Sequence, residues 1–155
     1  DAAIFVSPNA VDKAMPLIKQ FGVWPLHLVA ATVGQGSATM LKLYGVETVI
    51  VPDVGSDSEA LLGMPFFQQP TGKRVAIFRG EEGRKLLGDT LSERGAIVEY
   101  VACYRRSKPV VDIAPLLADW RDHKIQAVVI TSSEGLDNLF DMLGETGRQL
   151  LMRFR

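Results

Sequence analysis

The chain has 155 residues, 47% of them hydrophobic, with 17 basic and 18 acidic side chains and a net charge of −1. Such a composition builds a real core, excludes disordered and collagen-like chains, and suits one domain or parts of two. No run of Lys or Arg marks a nucleic-acid surface, no apolar stretch approaches the roughly 20 residues of a membrane span, and the single cysteine, Cys103, cannot form an intrachain disulfide, all of which points to a cytosolic protein.

The chain opens at Asp1 rather than Met, and an apolar strand at Ile4-Phe5-Val6 follows without a signal-peptide pattern, so a start inside a longer protein is expected. Ser7-Pro8-Asn9 then reads as a hydroxyl-capped helix start. A second strand at Leu28-Val29-Ala30 leads through Gly34-Gln35-Gly36 into a helix over Ser37 to Tyr44, stopped by Gly45. Val49-Ile50-Val51 is a third strand, and Ser56-Asp57-Ser58-Glu59 has the spacing of a capping box ahead of Ala60-Leu61-Leu62. Val75-Ala76-Ile77-Phe78 is a fourth. The helix after it, Gly83 to Arg94, carries Leu86, Leu87 and Leu91 on one face and ends at Gly95. A fifth strand runs from Ile97 to Cys103.

Strands alternating with helices in this way define an α/β protein with a mostly parallel sheet. Composition then shifts at Arg105-Arg106-Ser107-Lys108-Pro109, a polar stretch that reads as a linker. Beyond it lie a helix (Ile113 to Asp122), a strand (Gln126 to Ile130) and a helix (Glu134 to Leu143), too little for a domain. Residues 1–105 are therefore expected to form most of one α/β domain, 106–109 a linker and 110–155 part of a second, completed by sequence outside this chain. Ile4 to Val11 and Val128 to Leu136 echo each other as strand, hydroxyl cap and helix, a hint of duplication that a chance match also explains.

No metal or cofactor site is expected. His27 and His123 are far apart in the chain, Cys103 sits among apolar strand residues, and Gly34-Gln35-Gly36 lacks the third glycine of a dinucleotide fingerprint, with Thr39 in its place. No G-x-S-x-G elbow is present. The sequence does offer strand-to-helix junctions rich in small and hydroxyl residues: Ser7-Pro8-Asn9, Gly34 to Ser37, Arg79-Gly80 and Thr131-Ser132-Ser133. In a parallel sheet these fall at the carboxyl ends of the strands, where free backbone N–H groups and helix dipoles favour carboxylate or phosphate without net positive charge. Ser7 and Thr131 read equally well as plain N-caps, each worth about 1 kcal/mol. Alternation on the fifth strand places Tyr100 and Tyr104 on the same face; Tyr104, beside the linker, is either a rim residue or a phenol that reaches a cleft and donates a proton.

Seven stretches in order resemble bacterial uroporphyrinogen-III synthases: Phe5 to Val11, Ala31 to Thr39, Ser58 to Leu62, Gly72 to Arg84, Leu91 to Ala96, Cys103-Tyr104-Arg105-Arg106 and Ile130 to Glu134. The resemblance covers nearly the whole chain but includes no counterpart of the family's first and last strands and helices. It implies two flavodoxin-like parallel-sheet domains joined by a two-stranded linker, the second only partly present, with the active site in the cleft between them and no cofactor. The implied activity is a cyclising lyase of tetrapyrrole (haem) biosynthesis. It closes hydroxymethylbilane with loss of water and inversion of the last ring, through an azafulvene and a spiro intermediate.

The resemblance further implies a cytoplasmic monomer, with transient handover of substrate from hydroxymethylbilane synthase and with neither nucleic acid nor membrane as partner. Tyr104 matches a tyrosine that assists hydroxyl departure. Ser7, Thr131 and Ser132 match the cleft edge, and Pro8, Asn9, Gly34, Ser37, Arg79, Gly80 and Ser133 are further candidates for substrate binding. On this reading the isolated chain lacks half of one cleft wall and is inactive. The competing class is a non-catalytic α/β module that binds a carboxylated ligand. A phosphoacceptor receiver domain is disfavoured, because Ser7 and Pro8 stand where an acidic pair would end the first strand.

Overall fold

A computed structural model describes residues 1–152, which divide into two compact units between Arg106 and Ser107. Residues 153–155 of the expected second part lie outside the described residues.

The first unit alternates strands and helices: β1 (Ala2–Phe5), α1 (Pro8–Gln20), β2 (Val29–Thr32), α2 (Gln35–Leu43), β3 (Val49–Ile50), α3 (Ser58–Leu62), α4 (Pro65–Gln68), β4 (Arg74–Gly80), α5 (Leu86–Glu93) and β5 (Ile97–Tyr104). The five strands form one parallel sheet in the order β3-β2-β1-β4-β5. A flavodoxin-like sheet would run 2-1-3-4-5, so the observed order corrects that expectation to the other common doubly wound arrangement. In both, the direction of winding reverses beside β1.

Every residue of β1 is buried, and its side chains alternate between two cores. Ile4 joins Leu61, Phe67, Val75, Ile77, Leu87 and Leu91 on one face, under α3, α4 and α5. Phe5 joins Ala10, Val11, Met15 and Leu41 on the other, under α1 and α2, where its ring stacks on Phe78 with centroids 4.6 Å apart. A strand covered on both faces needs the continuous apolar run seen in the sequence.

Helix ends follow local chemistry. Ser7 caps α1 from extended backbone, its hydroxyl accepting from Ala10 N at 3.2 Å, with Pro8 in the first turn where its missing N–H costs nothing. Gly45 and Gly95, the expected stops, adopt φ of +88° and +86°, the left-handed conformation that ends a helix without strain for a residue lacking Cβ. Asp57, not Ser56, caps α3, accepting from Ala60 N at 2.8 Å. The short helix α4 was not anticipated. Its last turn is tied down by Arg94, whose guanidinium donates to Phe67 O (2.8 Å) and to Leu62 O at the end of α3 (2.7 Å). The helix expected from Gly83 begins only at Leu86. Arg79 holds the preceding loop in another shape, donating to Gly80 O and to Arg84 O, each at 3.1 Å.

The second unit contains α6 (Ala114–Arg121) and α7 (Ser133–Leu151). Ser132, rather than Thr131, caps α7, and helical geometry breaks at Gly144, where the sequence pattern had ended the helix. The expected strand over Gln126 to Ile130 is not formed: residues 124–132 have no regular structure, and Val129 is 84% exposed. A strand needs a ladder partner, and among the described residues of this unit no second strand supplies one. No helix among the described residues is long and apolar enough to cross a membrane.

Phe5 is fully buried against Phe78 and α1. Phe5→Ala is expected to cost about 3–5 kcal/mol of unfolding free energy, measured by denaturant titration.

Candidate active site

Parallel connections cross over in a right-handed sense, so the direction in which the strands are laid down decides which face each helix covers. From β1 to β3 the chain moves one way, putting α1 and α2 on the Phe5 face. It then returns to β4 and moves the other way, putting α5 on the Ile4 face. The loops after β1 and β4 therefore part in opposite directions at the carboxyl edge of the sheet, which is where open α/β sheets bind ligands.

Four of the residues singled out in the sequence meet there. Ser7 follows β1, Pro8 opens α1, Gly80 ends β4 and Tyr104 ends β5. Ser7 Oγ and Tyr104 Oη are 3.1 Å apart across 97 residues of sequence. Both are half-buried, so the pair borders solvent while sheltered by the two helix starts. The first turn of α2 lies alongside that of α1: a Cβ on Gly36 would stand 3.9 Å from Pro8 Cγ. Two helix amino ends thus converge near Ser7, with Asn9 exposed on the first turn of α1 and half-buried Gly34 at the cap of α2, where no side chain occupies the free N–H groups.

Tyr104 reaches this place through an irregularity that alternation alone does not show. Arg79 pairs with Ala102, but Gly80 pairs with Tyr104, so Cys103 is the extra residue of a β-bulge. Regular alternation would put Tyr104 on the face of Tyr100. The bulge turns it to the opposite face, where Tyr104 and Cys103 both pack beside Phe78 and α1. Tyr100 stays on the α5 side, donating to Lys85 O at 3.1 Å. The expectation of two tyrosines on one face is corrected accordingly. The bulge is held by Cys103 Sγ donating to Arg79 O at 3.3 Å and by Glu81 N donating to Tyr104 O at 2.9 Å. Burial pushes the Cys103 thiol above its ordinary value, against the opposing pull of its backbone hydrogen bonds.

Other candidates serve the fold as placed. Ser37 is buried in the first turn of α2 rather than open to the edge. Arg79 is buried too. Its guanidinium is committed to the loop carbonyls and lies 5.0 Å from the centroid of the Tyr100 ring. Thr131, Ser132 and Ser133 belong to the second unit, exposed at the start of α7, and Ser132 Oγ accepts from Gly135 N at 3.0 Å. Thr32 was missed: buried at the end of β2, its hydroxyl donates to Gly34 O at 3.1 Å and shapes the turn into α2. An apolar strand closing on a threonine just before a glycine was the available signal.

Doubly wound order, a reversal at β1, and a phenol and hydroxyl set beside two helix starts define an α/β protein with a polar pair at the carboxyl edge of its sheet. Comparison with known families narrows the class. The family model described as "Uroporphyrinogen-III synthase HemD" matches residues 1–155, and this chain belongs to that family. It is 33% identical over 150 residues to the uroporphyrinogen-III synthase of Escherichia coli K12, covering 96% of this chain and 61% of that protein. It is 37% identical over 107 residues to the one from Proteus mirabilis, covering 68% and 54%. The crystal structure of a mutant uroporphyrinogen III synthase from the extreme thermophile Thermus thermophilus superposes with a TM-score of 0.58 at 22% identity, covering 97% of this chain and 59% of that one, which supports the fold. The chain spans about three fifths of the length of the first of these curated relatives.

Ser7→Ala removes both the α1 cap and the Tyr104 partner, and is expected to cost about 1 kcal/mol by denaturant titration, with Ser7→Thr largely sparing it. Cys103 makes a signed prediction as well. Its raised folded value favours the native state while the thiol is protonated, so that contribution is lost as pH rises past about 9, where the unfolded chain ionises first. Cys103→Ala should flatten the decline in stability as pH rises past about 9.

Proposed function

We propose that this protein, at full length, is a uroporphyrinogen-III synthase: it cyclises hydroxymethylbilane with loss of water and inversion of the last ring. The observation that carries the reading is the Tyr104–Ser7 pair at 3.1 Å, seated at the sheet's switch point beside two helix amino ends, in a chain of this family.

The substrate bears acetate and propionate groups on every pyrrole. The opening turn of α2, capped by Gly34 with no side chain on its N–H groups, presents backbone donors and dipole charge to such carboxylates, while α1, where Pro8 has no N–H and Ala10 N is held by Ser7, adds its dipole and the Asn9 N–H. The start of α7, with Thr131, Ser132 and Ser133, is a further receptor of the same type. Tyr104 donates its proton to the terminal hydroxyl as it departs as water, and the pyrrole N–H proton lost as the azafulvene forms restores the phenol. Ser7, already accepting from Ala10 N, keeps its own O–H to donate to the phenol oxygen as charge develops there. Attack by the last ring at its substituted carbon then gives the spiro intermediate, which fragments and recloses with that ring inverted. Because the free substrate closes spontaneously without inversion, much of catalysis lies in holding the chain in the folded arrangement.

The two units are, on this proposal, two domains joined by a linker at residues 106–109, and the protein works as a cytoplasmic monomer with transient handover from hydroxymethylbilane synthase. Full-length protein mixed with enzymically generated hydroxymethylbilane should yield mainly the type III product. A non-catalytic module binding a carboxylated ligand would leave type I dominant, and that result would sink the synthase reading. Tyr104→Phe is expected to lower turnover by about 100-fold, the low end of general-acid catalysis, and unchanged turnover would remove the acid role.

A further inference from the structure

We infer that Gly80 is a positioning residue for Tyr104: the bare Cα of Gly80 is the seat against which the phenol ring rests, and a side chain there would lift the hydroxyl off Ser7. A Cβ on Gly80 would stand 3.0 Å from Tyr104 Cε2, 3.1 Å from Cζ and 3.5 Å from Cδ2. Backbone conformation does not demand glycine at this position, because Gly80 is not among the glycines with positive φ. The requirement is one of space, and the ring is what fills it.

The ring has no easy way to yield. Gly80 and Tyr104 are register partners at the bulge, and Glu81 N fixes the Tyr104 carbonyl at 2.9 Å, so the tyrosine backbone cannot slide along β4. Cys103, the inserted residue, is itself tied to Arg79 O. Carbon atoms settle about 3.5–4.0 Å apart, so a methyl at residue 80 pushes the ring by a few tenths of an ångström. That motion must come from rotation of the side chain, and it is largest at the hydroxyl, the atom that meets Ser7. Gly80 thus acts through Tyr104 rather than by touching substrate, which replaces its assignment to substrate binding. Sequence alone groups it with the other junction glycines, whereas its partner lies 24 positions away across a bulge.

The kinetic consequence rests on Tyr104 being the acid of the proposed reaction; the steric one does not. In the full-length protein, Gly80→Ala is expected to lower kcat for type III product by about 10- to 100-fold, with KM little changed, as expected for a displaced catalytic group. In the Tyr104→Phe background the same substitution should add almost nothing, because the hydroxyl it displaces is already gone. Wild-type kcat in Gly80→Ala, or losses that multiply in the double variant, would overturn the inference.

A melting pair tests the seat separately. Gly80→Ala should lower the unfolding midpoint when Tyr104 is present and not in the Tyr104→Ala background. Equal loss in both backgrounds overturns the steric claim. Should Gly80→Ala fail to fold, rescue of folding by Tyr104→Ala supports the inference and absence of rescue overturns it. Full activity of Tyr104→Phe would sink the acid reading alone, and the melting pair would then decide the fate of the seat.

Discussion

The central strand β1 has no polar face to offer, and the rest of the first unit is arranged around that constraint. With Ala2, Ala3, Ile4 and Phe5 all buried, helices must cover both sides of the sheet, and a chain that winds in one hand covers both only by reversing direction. The reversal falls between β1 and β4. Its by-product is an opening at the carboxyl edge, bounded by the turns after those strands. The site is in this sense a consequence of core packing.

What fills the opening depends on one inserted residue. Without the bulge at Cys103, Tyr104 would point toward the α5 face with Tyr100; with it, the phenol crosses to the α1 face and meets the serine that starts α1. Ser7 consequently does two jobs with one oxygen, accepting from Ala10 N as a cap and pairing with Tyr104. Arg79, which by charge alone looks like a carboxylate receptor, is spent inward on the carbonyls of Gly80 and Arg84. A buried guanidinium with its donors engaged by main-chain oxygens stabilises a loop more readily than it captures a ligand from solvent.

The polyanionic substrate proposed for the full-length protein is compatible with a chain of net charge −1 if the attraction is local. Helix amino ends supply partial positive charge within one turn, and two of them side by side focus it where Ser7 and Tyr104 stand. Membership of the uroporphyrinogen-III synthase family is what connects that geometry to the proposed chemistry.

Local features were legible before the structure. The apolar runs of β1, β2 and β4, the cap at Ser7 and the stops at Gly45 and Gly95 follow from interactions within a few residues, and those are written contiguously in the chain. The exceptions show where locality fails. Val128-Val129-Ile130 has the composition of a strand yet forms none, because a strand is a relation to a neighbour and the described second unit offers no neighbour. The delayed start of α5 was set by Arg79 reaching over its own loop, and α4 by Arg94 gathering carbonyls from two helix ends. Sequence by itself determined an α/β chain with hydroxyl-capped helix starts and, by resemblance, a family. Tertiary structure decided strand order, the bulge, the burial of Ser37 and Arg79, and the meeting of Tyr104 with Ser7 and Gly80. Each of those depends on register between segments far apart in the chain, which side-chain periodicity within a single segment does not encode.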